Sequence, residues 1–481
     1  MNPISAFALS FRSRLSAMRW AWAGACALML AASVRAADLQ TLWDERLAAI
    51  VGVEFATETE MDRQLALAFG VVADREGTII LPGQAINPRA TPSQLQDFRV
   101  YRPNQSPVDF ASATYLGQDP YTGWHFLRVA PEGRAGLRPI SDFAGPDGTA
   151  NVGMGETVWG IAMRKKDEDF RPYFLSARVS LVQTLPQRTA IALDEVTGPG
   201  LPVFNEQGHL VGLGQPGFGE SLLVFSRRAP GGEQVVVVNP DECAAFRVAA
   251  EVLPHLGRVP ENVFGRPLAW LGVGGLQPVT PEVAKFLQLE AQAGLVASEI
   301  MAGSPAEQGG LQERDIVIAL DGKPLPRLKP DGVLPAYVER EIASKRPGEV
   351  LVLGVLRGNE SKDLKVTLGE APLMPKEAER RYFERLGWTA RQFVYSDAVA
   401  RRADPDTAKG VIVHFVKPNG PSGAAGLRVD DWVQQIDGVE VADFAAASAQ
   451  LAAIEADAKR TEFVLLVRRG SETSVIRVRL N

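Results

Sequence analysis

Cysteine is nearly absent from this chain: two residues in 481, Cys26 and Cys243, are too few for a disulfide framework or a thiolate metal cage. Histidine is almost as scarce, and His125, His209, His255 and His414 are scattered rather than clustered. With no ligand group at metal spacing and no phosphate loop, no cofactor is expected. A long basic block is missing too. Lys plus Arg total 51 against 57 Asp plus Glu, a net charge of -6, so nothing here tracks a phosphate backbone and nucleic acid is excluded as a partner. What remains is an ordinary globular composition with many turns, 46% hydrophobic and 22% charged with 45 Gly and 33 Pro. At this length about three domains are expected.

No apolar run reaches the roughly 20 residues that a bilayer span needs. The longest, Trp20 to Val34, follows Arg12, Arg14 and Arg19 and ends in Val34-Arg35-Ala36, with small side chains at the two positions a signal peptidase reads. Residues 1–36 are therefore expected to be a signal peptide cleaved after Ala36, with a retained anchor as the alternative. Cleavage removes four arginines and no acid, which leaves 47 basic against 57 acidic residues. The mature chain is expected in the periplasm or another extracytoplasmic space, with no stable membrane span.

Between residues 38 and 245 the apolar runs are short and punctuated by turns: Ala49 to Phe55, Ala66 to Ala73, Thr78 to Leu81, Trp124 to Val129, Glu156 to Ala162, Phe174 to Gln183, Leu210 to Leu213 and Ser221 to Phe225. Such spacing without helical periodicity predicts antiparallel strands closed into barrels or packed as a sandwich. The rest of the chain is dominated by an internal repeat. At an offset of 116 residues, Gly294-Leu295-Val296 meets Gly410-Val411-Ile412, Pro305 meets Pro421, Gly310-Leu311 meets Gly426-Leu427, and Asp315 and Asp321-Gly322 meet Asp431 and Asp437-Gly438. In each copy a Pro opens a short helix, a Gly closes it, and Asp-Gly turns a hairpin. Amphipathic helices follow, on Leu334, Tyr337, Val338 and Ile342 and on Phe444, Ala447, Leu451 and Ile454. The charged stretch ahead of the second copy, within residues 371–385, is expected to be a linker helix.

Trp270-Leu271-Gly272-Val273, Gly303-Ser304-Pro305-Ala306, Gly310-Leu311 and Asp315 to Gly322 resemble PDZ domains of the kind attached to HtrA/Deg-family proteases. Leu386-Gly387-Trp388 stands at the corresponding place in copy two. The resemblance implies PDZ domains over 262–370 and 386–481. In such domains a peptide C-terminus adds to a sheet edge, and backbone N–H groups of the glycine loop hold its carboxylate. Leu271, Gly272 and Val273 would form that loop in copy one, with Val338 and Ile342 lining the pocket. Leu386, Gly387 and Trp388 would form it in copy two, with Ala447 and Leu451 beside it. The alternative is that these apolar residues are simply core.

The same family carries a trypsin-like double β-barrel, which residues 38–245 resemble in degenerate form. Gly70 to Leu81 looks like the strand that leads to the family's catalytic histidine, but Gln84 stands there. Thr122 to Val129 looks like the strand after its aspartate, and Gly123 takes that place. Pro202 to Leu213 looks like the segment after the nucleophile, where Thr197-Gly198-Pro199-Gly200-Leu201 puts Pro199 at the serine. An amide cannot act as a general base, and proline lacks both hydroxyl and N–H. These positions predict a chain that is not an enzyme: an exported, HtrA-like PDZ pseudoprotease that binds C-termini or extended segments of other proteins as adaptor, holdase or regulator of envelope protein quality control. The expected partners are protein C-termini or unfolded envelope proteins, an active HtrA-like protease, and further copies of the chain. Two alternatives stay open: an envelope serine-type endopeptidase with an unrecognised triad, and a structural oligomerisation scaffold.

Overall fold

The computed structural model describes residues 39–146, 152–184, 187–215, 243–287, 289, 292–329, 331–405 and 407–480. The expected signal peptide and the run Ser221 to Phe225 lie outside them. Two closed six-stranded barrels come first. The first contains β1 (Ile50–Glu58), β2 (Arg63–Val72), β3 (Thr78–Leu81), β4 (Leu95–Tyr101), β5 (Ala111–Gln118) and β6 (His125–Val129), in the order β1-β2-β3-β6-β5-β4. The second contains β7 (Thr157–Met163), β8 (Pro172–Gln183), β9 (Thr189–Ala192), β10 (Pro202–Asn205), β11 (Leu210–Gln215) and β12 (Ala245–Val248), in the order β10-β11-β12-β9-β8-β7. The expected trypsin-like double barrel is present, and the chain is mainly β.

Each barrel has its own apolar interior, around Phe55, Ile79 and Leu127 in one and Val158, Val203 and Phe246 in the other. A third cluster, including Tyr101, Trp159, Phe170 and Phe204, joins them. Gly52 makes this junction close: a Cβ there would lie 2.6 Å from the Phe170 ring, which stacks on Tyr101 at 4.6 Å. The helix Leu39–Arg46 braces the same junction, because Arg46 donates to Gly208 O at 2.8 Å and lies 4.7 Å from the Phe143 ring centre. Trp43 packs on Trp159 and Phe174.

The repeat follows as two β-units. The first contains β13 (Ala269–Trp270), β14 (Val273–Pro278), β15 (Leu295–Ile300), β16 (Ile316–Leu320), β17 (Lys323–Pro324), β18 (Val350–Arg357), β19 (Glu360–Thr367) and β20 (Gly369–Glu370). Its main sheet runs β14-β15-β16-β18-β19, while β13 pairs with β20. The second contains β21 (Arg380–Phe383), β22 (Trp388–Gln392), β23 (Val411–Val416), β24 (Trp432–Ile436), β25 (Val439–Glu440), β26 (Glu462–Arg469) and β27 (Glu472–Arg479), in the order β21-β22-β23-β24-β26-β27. The hairpin signals read correctly: Asp321 and Gly322 have φ of 48° and 74°, and Asp437 and Gly438 51° and 80°, the paired left-handed conformations of a type I′ turn. Gly310 and Gly426, at 82° and 95°, close the short helices as expected. The helices Leu334–Ala343 and Phe444–Ala456 lie in corresponding places.

The two copies also share an ion pair. Arg357 holds Asp315 through Nε and Nη2, both at 2.7 Å, and Arg469 holds Asp431 in the same way. One expectation is corrected here. The segment before the second copy is not a helix: turns lead into β21, which pairs antiparallel with β22 from Arg380↔Arg391 to Phe383↔Trp388. The charges that suggested a solvated helix are distributed as in a half-exposed strand, with Arg381 exposed and Phe383 fully buried.

Candidate functional site

Three loops meet between the barrels. Leaving β3, the chain makes a 3₁₀ turn, Gly83–Ala85, that carries Gln84. A Cβ on Gly83 would lie 2.7 Å from Gly123 O, and one on Gly200 2.7 Å from Pro82 Cδ. The turn of Gln84 therefore touches both the loop of Gly123 and the loop that carries Pro199. The Pro199 loop is fixed from behind. Thr197 and Cys243 form an isolated β-bridge, Gly200 N–H donates to Gly214 O at 2.9 Å, and Gly214 N–H donates to Leu201 O at 2.8 Å.

The loops open onto a cavity of about 190 Å³ whose walls include Gln84, Trp124, Gly200, Gln215 and Arg247. No serine, histidine or carboxylate belongs to its described lining. Its one hydroxyl, Thr122, donates to Asp119 Oδ2 at 2.7 Å. Thr197, in the nucleophile loop, is fully buried and donates to Ile161 O at 2.8 Å, which turns its oxygen away from the cleft. Cys243 is buried beside it.

His125 is near the cleft but faces the back of the Gln84 turn. Its Nε2 lies 3.1 Å from Gly83 O and its Nδ1 2.9 Å from the Tyr115 hydroxyl. A carbonyl only accepts, so the bonding assigns the proton to Nε2 and makes Tyr115 the donor to Nδ1. Burial holds its pKa down at about 4. His125 is thus a neutral, structural histidine that shapes the turn, and it sits inside the barrel rather than at the surface.

Arg247 was not singled out by sequence. It reaches the cleft from β12. With the Gln215 amide oriented so that its oxygen faces the guanidinium, that oxygen accepts from Arg247 Nε at 2.9 Å and Nη2 at 2.8 Å. The only hint in the sequence is a lone basic residue in an apolar strand, Ala245-Phe246-Arg247-Val248.

In copy one, Leu271 is buried, Gly272 has φ of 83°, and Val273 begins β14, the outermost strand of its sheet. Gly272 O accepts from Met301 N–H at 3.0 Å, while no acceptor for the Gly272 N–H is found among the described residues. Val338 and Ile342 stand on the neighbouring helix but are packed in the core with Leu271. In copy two, Leu386, Trp388, Ala447 and Leu451 are all fully buried. There β21 lies along the edge of β22, where an added peptide strand would sit. Gly387 N–H donates to Phe383 O at 2.8 Å. Arg385 fastens the segment to the end of the helix Phe444–Ala456, donating to Asp457 O and Arg460 O at 2.6 Å each. The alternation Arg381, Tyr382, Phe383 before Leu-Gly-Trp was the available signal for this strand, masked by its charges.

A family profile described as a PDZ domain matches residues 296–334. A protein of Rhizobium meliloti (strain 1021) named Probable periplasmic serine endoprotease DegP-like is 27% identical over 246 residues, covering 50% of this chain and 44% of that protein. The Periplasmic pH-dependent serine endoprotease DegQ of Escherichia coli (strain K12) is 26% identical over 275 residues, covering 57% of this chain and 53% of that protein. The chain spans about half the length of the curated relatives it matches. A solved structure described as HtrA-type protease AlgW with decapeptide superposes with a TM-score of 0.48 at 17% identity, over 70% of this chain and 100% of that one.

Two closed barrels followed by a PDZ domain are the HtrA/DegP-type serine protease fold. The expectation that the chain is not an enzyme is corrected by these relatives, which are named serine endoproteases. That expectation counted only three side chains at one family's triad positions, whereas nucleophilic hydrolysis has been built from several different constellations.

Proposed function

We propose that this chain is an extracytoplasmic protein of the HtrA serine-endoprotease type that acts on other polypeptides. It takes a chain terminus at the first PDZ unit and an extended segment in the cleft between the barrels. The observation that carries this reading is the outer edge of β14 beside a left-handed Gly272 whose N–H has no acceptor among the described residues. An extended peptide can hydrogen-bond to such an edge, and a terminal carboxylate satisfies the loop's free donor. We assign 262–370 to this first PDZ unit and 386–481 to a second, where β21 of the preceding segment takes the ligand's place beside β22. The periplasmic naming of the relatives, the arginine-flanked apolar leader and the lack, among the described residues, of any helix long and apolar enough to cross a membrane all favour an extracytoplasmic location.

Hydrolysis of the bound segment is the reading favoured by the relatives' names. In this chain it requires a nucleophile and a proton acceptor from outside the family's positions, because Gln84, Gly123 and Pro199 supply neither. Titrating residues 37–481 with dye-labelled, apolar-ending peptides, each with a free and an amidated C-terminus, tests the binding step. A saturable component lost on amidation supports it, and identical affinity and stoichiometry for the free and amidated peptides contradict it. A fluorophosphonate probe and an unfolded protein substrate test the hydrolytic step separately. Labelling with cleavage supports that step, and neither one, with peptide binding intact, contradicts it.

A further inference from the structure

Arg247 is the one charged residue in the described lining of the inter-barrel cavity. The charges around it are already committed to other partners. Glu251 lies 3.7 Å from Arg340, and Asp119 lies 3.2 Å from Arg258. Both of those arginines stack on Tyr121, each 4.7 Å from its ring centre. Arg247 itself has the Gln215 amide oxygen and the face of Trp124, at 5.9 Å, but no carboxylate within ion-pair distance among the described residues. Burial, and next the nearby positive charge of Arg340, lower its pKa to about 10, so it remains a cation at neutral pH. A guanidinium offers five donors in a planar fork that matches a carboxylate. Here the neutral Gln215 oxygen engages two nitrogens, and Nη1 has no described acceptor. A partly desolvated cation facing a cavity of otherwise uncharged groups gains most from a ligand that brings a counter-charge.

We propose that the inter-barrel cleft selects an acidic residue of a bound polypeptide, whose side-chain carboxylate enters the cavity and pairs with the Arg247 guanidinium. The proposal rests on the reading of the cleft as a polypeptide site and names the residue it prefers. Trp124 and Val252 supply apolar walls for the stem of a Glu or Asp side chain, and Gln84 and Gln215 supply amides at its polar end. A lysine at the same place would meet like charge, which adds rejection to attraction.

The test uses residues 37–481 and three N-acetylated, C-amidated decapeptides that carry an uncharged dye and differ only in a central Glu, Gln or Lys. Amidation removes capture at β14 from the measurement. The Glu peptide is expected to bind roughly tenfold tighter than the Gln peptide, the increment of one charge-assisted pair, and the Lys peptide more weakly than either. Arg247→Met is expected to abolish the Glu preference, and Arg247→Lys to retain part of it. The lysine variant keeps the test open if the Met variant fails to fold. Equal affinity for Glu and Gln, or a preference that survives in folded Arg247→Met, overturns the proposal. So does a lack of binding by all three amidated peptides while free-ended peptides still bind, a result that leaves terminus capture at the first PDZ unit standing.

Discussion

The carbonyl oxygen of Phe383 accepts a hydrogen bond from Gly387 N–H at 2.8 Å, at the place in copy two where a terminal carboxylate would meet the glycine loop. The chain lays its own strand, β21, along the edge of β22. Among the described residues copy one has no such strand: β13 turns away to pair with β20, and the outer edge of β14 carries no paired strand. The two copies, alike in hairpins, helices and Arg–Asp pairs, therefore differ at the strand edge where the proposed terminus would add.

The glycine loops provide a paired test of that difference. A Cβ on Gly272 would lie 2.2 Å from Ser304 Cβ, at a φ of 83° that alanine adopts only with strain. Gly272→Ala is expected to weaken binding of a free-ended peptide at least roughly tenfold, a cost of about 1.4 kcal/mol. Gly387→Ala, whose nearest contact would be 3.3 Å, is expected to leave peptide affinity unchanged while destabilising its own unit by about 1 kcal/mol. Anisotropy and urea denaturation measure the two effects.

Phe383 is fully buried against Trp388, with ring centres 6.3 Å apart. Phe383→Ala removes this anchor and is expected to destabilise the second unit by about 3–5 kcal/mol. Urea unfolding followed by the fluorescence of Trp388 and Trp432 reads the loss.

His125 makes stability depend on pH. Its pKa falls from 6.5 to about 4 on folding, so between those values the unfolded chain binds a proton that the folded chain does not, and stability declines as pH falls through that window. The full effect is about 3 kcal/mol. In His125→Gln the pH slope between 6.5 and 4 is expected to become shallower by the share of His125, while His255 and His414, whose pKa values burial also lowers, supply the rest.

Asp315 acts at lower pH. Burial opposes its charge, but the Arg357 fork and the Gln312 N–H outweigh burial and hold its pKa below 3.8. Its contribution is complete above that value and is lost as pH falls through the lower, folded-state pKa. Asp315→Asn is expected to flatten the acid limb of the stability curve below about pH 4, as measured by circular dichroism.

Much of this architecture could be read from the sequence because it rests on local chemistry. Asp-Gly hairpins, Ser304 capping the helix that opens at Pro305, and apolar runs four to ten residues long map directly onto strands and turns among the described residues. That the loops of Gln84, Gly123 and Pro199 lie at the ends of short strands was legible for the same reason. The fate of residues 371–385 was not, because a strand made of Arg, Tyr and Phe is specified by its partner β22 rather than by its own pattern. Arg247 was hidden for a related reason: only closure of the second barrel brings it beside Gln84 and Trp124. Val338, Ile342, Ala447 and Leu451 were assigned to the correct helices, but core-facing and groove-facing positions share one helical period.

The central claim is that one chain captures one polypeptide terminus, at the first PDZ unit. Isothermal titration of residues 37–481 with an apolar-ending peptide, free and then amidated at its C-terminus, measures this directly. One site per chain that disappears on amidation is the predicted result, any binding that survives on the amidated peptide belonging to the cleft. Two amidation-sensitive sites would mean that β21 does not block the second groove, and no amidation-sensitive site would mean that the Leu271-Gly272-Val273 loop does not hold the terminus; either would contradict the account.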